Sequence, residues 1–264
     1  MNRVIPGICM AGGWIFLLFW GSVELFWAVI AGGAGVALYE FFRMTMAPLR
    51  GWRLMATIGS CLLPVLAALF GHGDAVLAGV MASLLVLAAV ALHGYGAMDD
   101  VLKYASYSGF ACVYISLCMA HMVLVRLLPQ GAFWLAMLVG IVAGSDTGAY
   151  YAGRAFGKRK LFPLISPKKT VAGGVGGLVA GVVVAEGINL LFPQQADPLI
   201  LFGVAIVLIL IGIAGDLTES MIKRSVGVKD SGTILFGHGG ILDRIDSLLL
   251  TAPVLYYLLH FGFL

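Results

Sequence analysis

Between Ser220 and Asp246 the chain reads SMIKRSVGVKDSGTILFGHGGILDRID, with Lys223, Arg224, Lys229, Asp230, His238, Asp243, Arg244 and Asp246 set between two apolar segments. Cations beside several carboxylates and glycine-rich turns suit a phosphate-rich substrate held through a metal ion. Just upstream, Asp216, Ser220, Lys223 and Arg224 fall at i, i+4, i+7 and i+8, which is one face of a helix. That face presents a carboxylate one turn from a hydroxyl and two cations. The plain alternative is a solvated helix end with ordinary pairing. Asp216 follows an apolar span directly, where charge is costly, and this favours the functional reading.

Gly237, Gly239 and Gly240 permit close backbone approach, and amides around such glycines can hold phosphate oxygens. Asp243 and Asp246 stand three apart at the start of an apolar segment. They read equally as ligands for a hard divalent ion and as acids placed at a helix N-terminus. With Asp216 and the cations added, the metal reading is preferred: Asp216, Asp243 and Asp246 are the candidate ligands, and Mg²⁺ the candidate ion. His238 is a turn residue, a phosphate contact or a proton-transfer group; no second His or Cys lies near it to make a zinc site.

A third charged piece is GSDTGAYYAGRAFGKRKLFPLISPKKT, residues 144–170. Asp146 interrupts an apolar span and is a candidate for function on that ground. The cluster from Arg154 to Lys160 also reads as a topology determinant that contacts anionic lipid. Lys168 and Lys169 precede a helix start at Thr170, where amides and dipole favour phosphate. The order is not that of a Walker A loop, because the lysines come before the glycines. Gly173, Gly177 and Gly181 form a doubled GxxxG, assigned to close helix packing. Glu40, at a helix end, and Glu186, within a span, receive no role.

The elements that must carry these groups are membrane helices. The chain of 264 residues is 61% hydrophobic and 11% charged, with mean hydropathy +1.02. Soluble domains carry roughly 25% charged residues, so lipid is the solvent. Nine spans of roughly 20 residues are expected at about 4–20, 23–42, 54–71, 75–93, 105–128, 131–151, 171–192, 198–214 and 247–264. The fold class is all-α, a polytopic integral membrane protein and a single transmembrane domain. Residues 1–130 are expected to be mainly structural helices, and 131–264 to carry the catalytic helices and loops. The first segment reads as a retained helix and not as a cleaved signal peptide. Cys9, Cys61, Cys112 and Cys118 all lie in apolar segments and read as small buried hydrophobes.

Counted alternately, the loops sort their charge. Arg43, Arg50, Arg53, Lys103, the Arg154–Lys169 cations and Lys223, Arg224, Lys229 and Arg244 fall on one side, with only Arg126 against the pattern. Basic loops stay cytoplasmic. The expectation is an N-terminus and long loops (152–170 and 215–246) in the cytoplasm, with a shorter candidate loop at 94–104 containing Asp99 and Asp100.

The run S-x-I-K-R-x4-K-D-x-G…H-G-G-x-x-D-R-x-D, from Ser220 to Asp246, closely resembles the hallmark of the phosphatidate cytidylyltransferase family, also called CDP-diacylglycerol synthases. The segment SDTGAYYAGRAFGKRKLFPLISPKKT and the short LYEFFRM resemble it too. Two positions depart from that pattern: Ala172 stands where the family has Glu, and Phe236 where it has Pro or Gly. The resemblance implies a polytopic helical enzyme, commonly a homodimer, and the compactness of the chain points to a bacterial inner membrane. The enzyme would use Mg²⁺, with K⁺ as a candidate second ion, to join CTP and phosphatidate into CDP-diacylglycerol and pyrophosphate. No nucleic-acid partner is expected.

On this reading Asp216, Asp243 and Asp246 lead as metal ligands. Lys223, Arg224 and Lys229 neutralise phosphates, and Asp230 and Asp146 orient cations or ligate metal. Lys168, Lys169, Ser220, His238 and Arg244 contact substrate. The rival is another CTP-dependent lipid enzyme, such as a polyprenol or phytol kinase. A transporter would instead spread ionisable residues through its spans.

Overall fold

The computed structural model describes residues 4–47, 49–98, 100–192, 196–232 and 239–264, and among these the side chains from residue 11 onward except that of Ala97. Among the described residues there are nine helical segments: α1 (Val4–Phe19), α2 (Val23–Thr45), α3 (Gly51–Phe70), α4 (Gly73–Gly94), α5 (Val101–Leu127), α6 (Gly131–Phe156), α7 (Val171–Leu191), α8 (Pro198–Ser225) and α9 (Leu242–His260). α3 ends in a 3-10 turn, Ala68–Phe70, and α5 passes through a π-helical stretch, Cys112–Leu117. Helices α2 to α8 are long and apolar enough to cross a membrane. α1 is shorter, with 16 residues, and α9 opens on Asp243, Arg244 and Asp246.

The all-helical expectation holds, with two local differences. First, α8 does not stop at residue 214 but runs unbroken to Ser225, so its 28 residues span about 42 Å at ~1.5 Å each, beyond the ~30 Å of hydrocarbon. The surplus carries Asp216 through Arg224 as helix, where a loop beginning at 215 was expected. Second, the expected loop 152–170 contains an antiparallel hairpin, β1 (Lys160–Phe162) with β2 (Ser166–Thr170), paired Lys160 to Thr170 and Phe162 to Ser166. Pro163 begins the turn, and β-branched Ile165 ends it.

The helix starts follow local chemistry. Ser22 accepts from the Leu25 amide, Asp100 from Lys103, Thr170 from Gly173, and Asp197 from Leu199 and Ile200, with Pro198 at the first helical position. Asp100 is therefore an N-cap; Asp99 lies outside the described residues.

The chain forms two compact units. The first comprises residues 1–131 and 228–245. Its core is aromatic and aliphatic: Phe26, Leu38, Phe41, Phe42, Ile115 and Leu124 are all fully buried. α3 packs along α4, and Gly79 lets the backbones meet, since a Cβ there would lie 2.8 Å from the Leu63 carbonyl oxygen. Arg126, the one cation against the charge pattern, donates to the Gly21 carbonyl at 3.3 Å.

The second unit comprises residues 132–227 and 246–264. Its seam is built from small residues. Gly173, Gly177 and Gly181 are buried on one face of α7, while Val175, Val179 and Val183 are exposed on the others. A Cβ on Gly173 or Gly177 would lie 2.9 Å from the carbonyl oxygen of Ala149 or Ser145 on α6. From the other side, a Cβ on Gly148 would lie 2.6 Å from the Gly176 carbonyl oxygen. Lipid offers no hydrophobic drive between helices, so close backbone contact and dispersion must supply the association. The GxxxG assignment is what the helices do here.

Candidate active site

The second unit holds a cavity of about 400 Å³ at the end of the α6–α7 seam. α6 lends Asp146 and Arg154, β2 lends Lys168 and Lys169, and α8 lends Asp216. The hairpin is what turns the two lysines into a wall. The chain leaves α6, folds back through β1 and β2, and enters α7 at Thr170, whose buried hydroxyl caps the helix.

Lys169 pairs with Asp216, Nζ to Oδ2, at 2.5 Å. The other carboxylate oxygen of Asp216 accepts from the Ser220 hydroxyl at 3.3 Å. The helical spacing read from the sequence thus joins Asp216 to Ser220 as expected. Both partners of the ion pair keep about a quarter of their side-chain surface open, so the pair faces the cavity and is not sealed in the core.

Lys223 is buried and forms an ion pair with Glu219, one turn back and wholly buried. A carboxylate four residues N-terminal of a lysine is the favoured helical arrangement. Arg224 is exposed in the last turn of α8.

Asp246 reaches this neighbourhood because α8 and α9 cross at glycine. A Cβ on Gly215 would lie 2.6 Å from the Asp246 carbonyl oxygen and 3.3 Å from the Ser247 Cα. The residue after Gly215 is Asp216, so the crossing brings the two acids within electrostatic reach. Asp246 lies in the charged first turns of α9, ahead of the apolar run. Its carboxyl is pushed up to about 7, chiefly by burial and then by the negative charge of Asp216; Asp146 adds to this, while the Ser247 amide, donating at 2.6 Å, and Lys223 oppose it.

Among the described residues no three His, Cys, Asp or Glu side chains converge as a ready metal-ligand set. The chemistry of the acids nevertheless fits a hard cation. Asp146, Asp216 and Asp246 are all oxygen donors, and two of them make ionisation of the third unfavourable, a repulsion that a divalent ion relieves. Mg²⁺ usually takes one or two carboxylates, several waters and substrate phosphates, so it requires no closed protein cage.

The remaining sequence candidates belong to the first unit, except His238, which lies outside the described residues with Phe236. Lys229 and Asp230 are exposed. Asp243 uses its carboxylate on the chain itself: Oδ2 accepts from the amides of Gly240 at 2.8 Å and Ser231 at 3.0 Å. Arg244 follows it in the first turn of α9, its amide donating to the Ile241 carbonyl at 2.9 Å.

Two residues without an assigned role in the sequence stand out. Glu219 is the partner of Lys223; its i,i+4 spacing could have found it. Glu40 is buried at the end of α2, where its carboxylate accepts from the amides of Ile241 at 3.2 Å and Leu242 at 2.9 Å. A lone acid in the aromatic run LYEFFRM was the signal available, but its partners are two hundred residues away.

The sequence matches the cytidylyltransferase family over residues 1–262. It is 35% identical to the phosphatidate cytidylyltransferase of Bacillus subtilis (strain 168) over 265 residues, 98% of this chain and 97% of that protein. The phosphatidate cytidylyltransferase of Staphylococcus aureus (strain COL) is 46% identical over 130 residues, 49% of this chain and 50% of that one. That of Haemophilus influenzae is 44% identical over 138 residues, 50% and 47% of the two chains. A lysine-walled cavity beside clustered carboxylates, carried on apolar helices, is thus joined to a match along nearly the whole sequence: the chain belongs to the cytidylyltransferase family.

Proposed function

We propose that this protein transfers the cytidylyl group of CTP to phosphatidate, forming CDP-diacylglycerol and pyrophosphate. The observation that carries the reading is the cavity lined together by Lys168, Lys169, Asp216 and Asp146. The near full-length similarity to a phosphatidate cytidylyltransferase supports the choice of substrates.

A phosphate oxygen of phosphatidate attacks the α-phosphorus of CTP. A new P–O bond forms, the bond between the α-phosphorus and the bridging oxygen breaks, and pyrophosphate leaves with the electron pair. The attacking oxygen is already anionic at neutral pH, so the residues need not remove a proton. Their work is to bring anions together and offset charge developing on the leaving group. Lys168, Lys169 and Arg154 would hold phosphate oxygens, and Asp216, which accepts from Ser220, holds Lys169 in position. Asp216 and Asp246 would hold Mg²⁺, with Asp146 beside them; Asp243, the third ligand expected from the sequence, spends its carboxylate on the amides of Gly240 and Ser231 instead. K⁺ is the candidate second ion. When bound, the divalent ion supplies positive charge to the triphosphate.

The same reading includes a homodimer in a bacterial inner membrane, with the cavity on the cytoplasmic side where CTP is available. The basic loops support that orientation.

The test uses purified protein in lipid nanodiscs with phosphatidate and CTP labelled at either the α- or the γ-phosphate, with Mg²⁺ and with a chelator. The expected result is α-label in the lipid, γ-label in released pyrophosphate, and no product in chelator. Transfer of γ-label to lipid would identify a kinase, and no lipid labelling from either nucleotide would remove the reading.

A further inference from the structure

Glu40 sits in an aromatic stretch of α2 with only 2% of its surface exposed. Its Oε2 accepts from the Leu242 amide at 2.9 Å and from the Ser231 hydroxyl at 3.4 Å, and its Oε1 from the Ile241 amide at 3.2 Å. The first amides of a helix have no acceptor within the helix. Glu40 therefore does for α9 what an N-cap side chain does, but from a helix near the other end of the chain. Its negative charge also lies at the favourable end of the helix dipole.

The chain is shaped around this carboxylate. A Cβ on Gly240 would lie 2.5 and 2.6 Å from its two oxygens, and a Cβ on Gly232 would collide with it. At Gly232 the acid occupies the space a side chain would take; at Gly240 the Ser231 hydroxyl and the acid occupy it together. Asp243 holds the same segment through the amides of Ser231 and Gly240. Two carboxylates thus close Ser231 onto Gly240. Lys229 and Asp230 immediately precede this closure, and Asp243 and Arg244 immediately follow it.

We propose that Glu40 is a positioning residue for the transfer reaction, and in this respect the inference rests on the function proposed above. Without touching substrate, it fixes the entry of α9 and the closure of Ser231 onto Gly240, and so the stance of the charged residues on either side. An acid from the part of the chain expected to be mainly structural thereby positions the charged residues on either side of this closure.

The test compares wild type, Glu40→Gln, Gly240→Ala and the double variant Glu40→Ala/Gly240→Ala in nanodiscs. Amide exchange across residues 228–246, exchange across α3 and α4, thermal midpoint, kcat and KM are measured. Glu40→Gln keeps one acceptor oxygen but turns an NH₂ toward backbone donors, so exchange at Ile241 and Leu242 should rise about tenfold or more. Exchange in α3 and α4 and the thermal midpoint should stay near wild type. kcat should fall about tenfold or more, with KM for CTP within about threefold. Gly240→Ala, whose methyl group meets the Ser231 hydroxyl as well as the acid, should behave alike, and the double variant should be no worse than Gly240→Ala alone, because one of the two groups the methyl meets is gone.

Unchanged exchange at Ile241 and Leu242 in Glu40→Gln would overturn the proposal. So would loss of protection in every helix together, or local loosening with wild-type kcat. If wild type itself made no CDP-diacylglycerol, the proposed reaction would fail, while the exchange data would still decide whether Glu40 fastens α9.

Discussion

Lys169 and Asp216 meet at 2.5 Å on the wall of the cavity, one from a β-hairpin and the other from the long helix α8. The pair is a quarter exposed on both sides, so substrate phosphate and a cation can compete for its members. Lys169→Met should lower kcat by about 10²–10³-fold, the scale for losing one preorganised electrostatic contact. Asp216→Ala should abolish turnover. Both should retain a cooperative thermal transition near that of wild type, since a solvent-facing pair adds little to stability. Wild-type turnover in either purified variant would remove these residues from the site.

Asp246 gives a pH signature. Its carboxyl is raised to about 7 in the folded protein, first by burial and then by Asp216 and Asp146. Between the ordinary carboxylate range and that value, the folded chain holds a proton that the unfolded chain has released. This contribution to stability is therefore full at low pH and is lost as pH rises toward 7. In chelator, the thermal midpoint should fall across that window and level off above it. Asp246→Asn should flatten the slope.

Divalent cation should act on the same window. A bound ion replaces the proton among the acids, so stabilisation by Mg²⁺ should grow as pH rises through about 7 and then level off. Thermal midpoints measured with and without Mg²⁺ at several pH values give the difference directly. A Mg²⁺ effect of equal size at every pH would count against ion binding at Asp216 and Asp246.

Glu219 and Lys223 form a buried pair within α8. Removing Glu219 alone leaves an ammonium with its nearest counter-charge gone, at a cost of about 3–5 kcal/mol. Glu219→Ala should therefore lower the thermal midpoint strongly. Glu219→Leu combined with Lys223→Met should recover most of that stability while activity stays low. Equal stability in all three proteins would show that the pair has no structural weight.

The α6–α7 seam should tolerate no added bulk. A Cβ on Gly177 already lies 2.9 Å from the Ser145 carbonyl oxygen. Gly177→Leu must push the helices apart, a strain of about 1–3 kcal/mol or more. It should also disturb the cavity, whose lysines lead directly into α7 at that seam. Val179→Leu, on the exposed face of α7, should leave both stability and turnover near wild type.

Much of this was legible in the chain alone, because lipid imposes a simple code. A helix that crosses hydrocarbon needs a long apolar run, so the spans announce themselves, and small residues at fourfold spacing mark where two such helices touch. Asp216 and Ser220 could be joined because helical geometry is local. Other features were settled only by folding. The lysines of SPKKT became a wall because a hairpin, invisible in hydropathy, turned them back onto α8. Asp243 and Asp246, three residues apart, found different partners: backbone amides for the first, other acids for the second. Glu40 shows the limit most plainly. Its amide partners are 201 and 202 residues away, and no periodicity reaches that far. Sequence determined which groups were available and which segments had to be helices, through rules of spacing and solvation. Tertiary structure decided which charge faces which, because that depends on where distant helices cross.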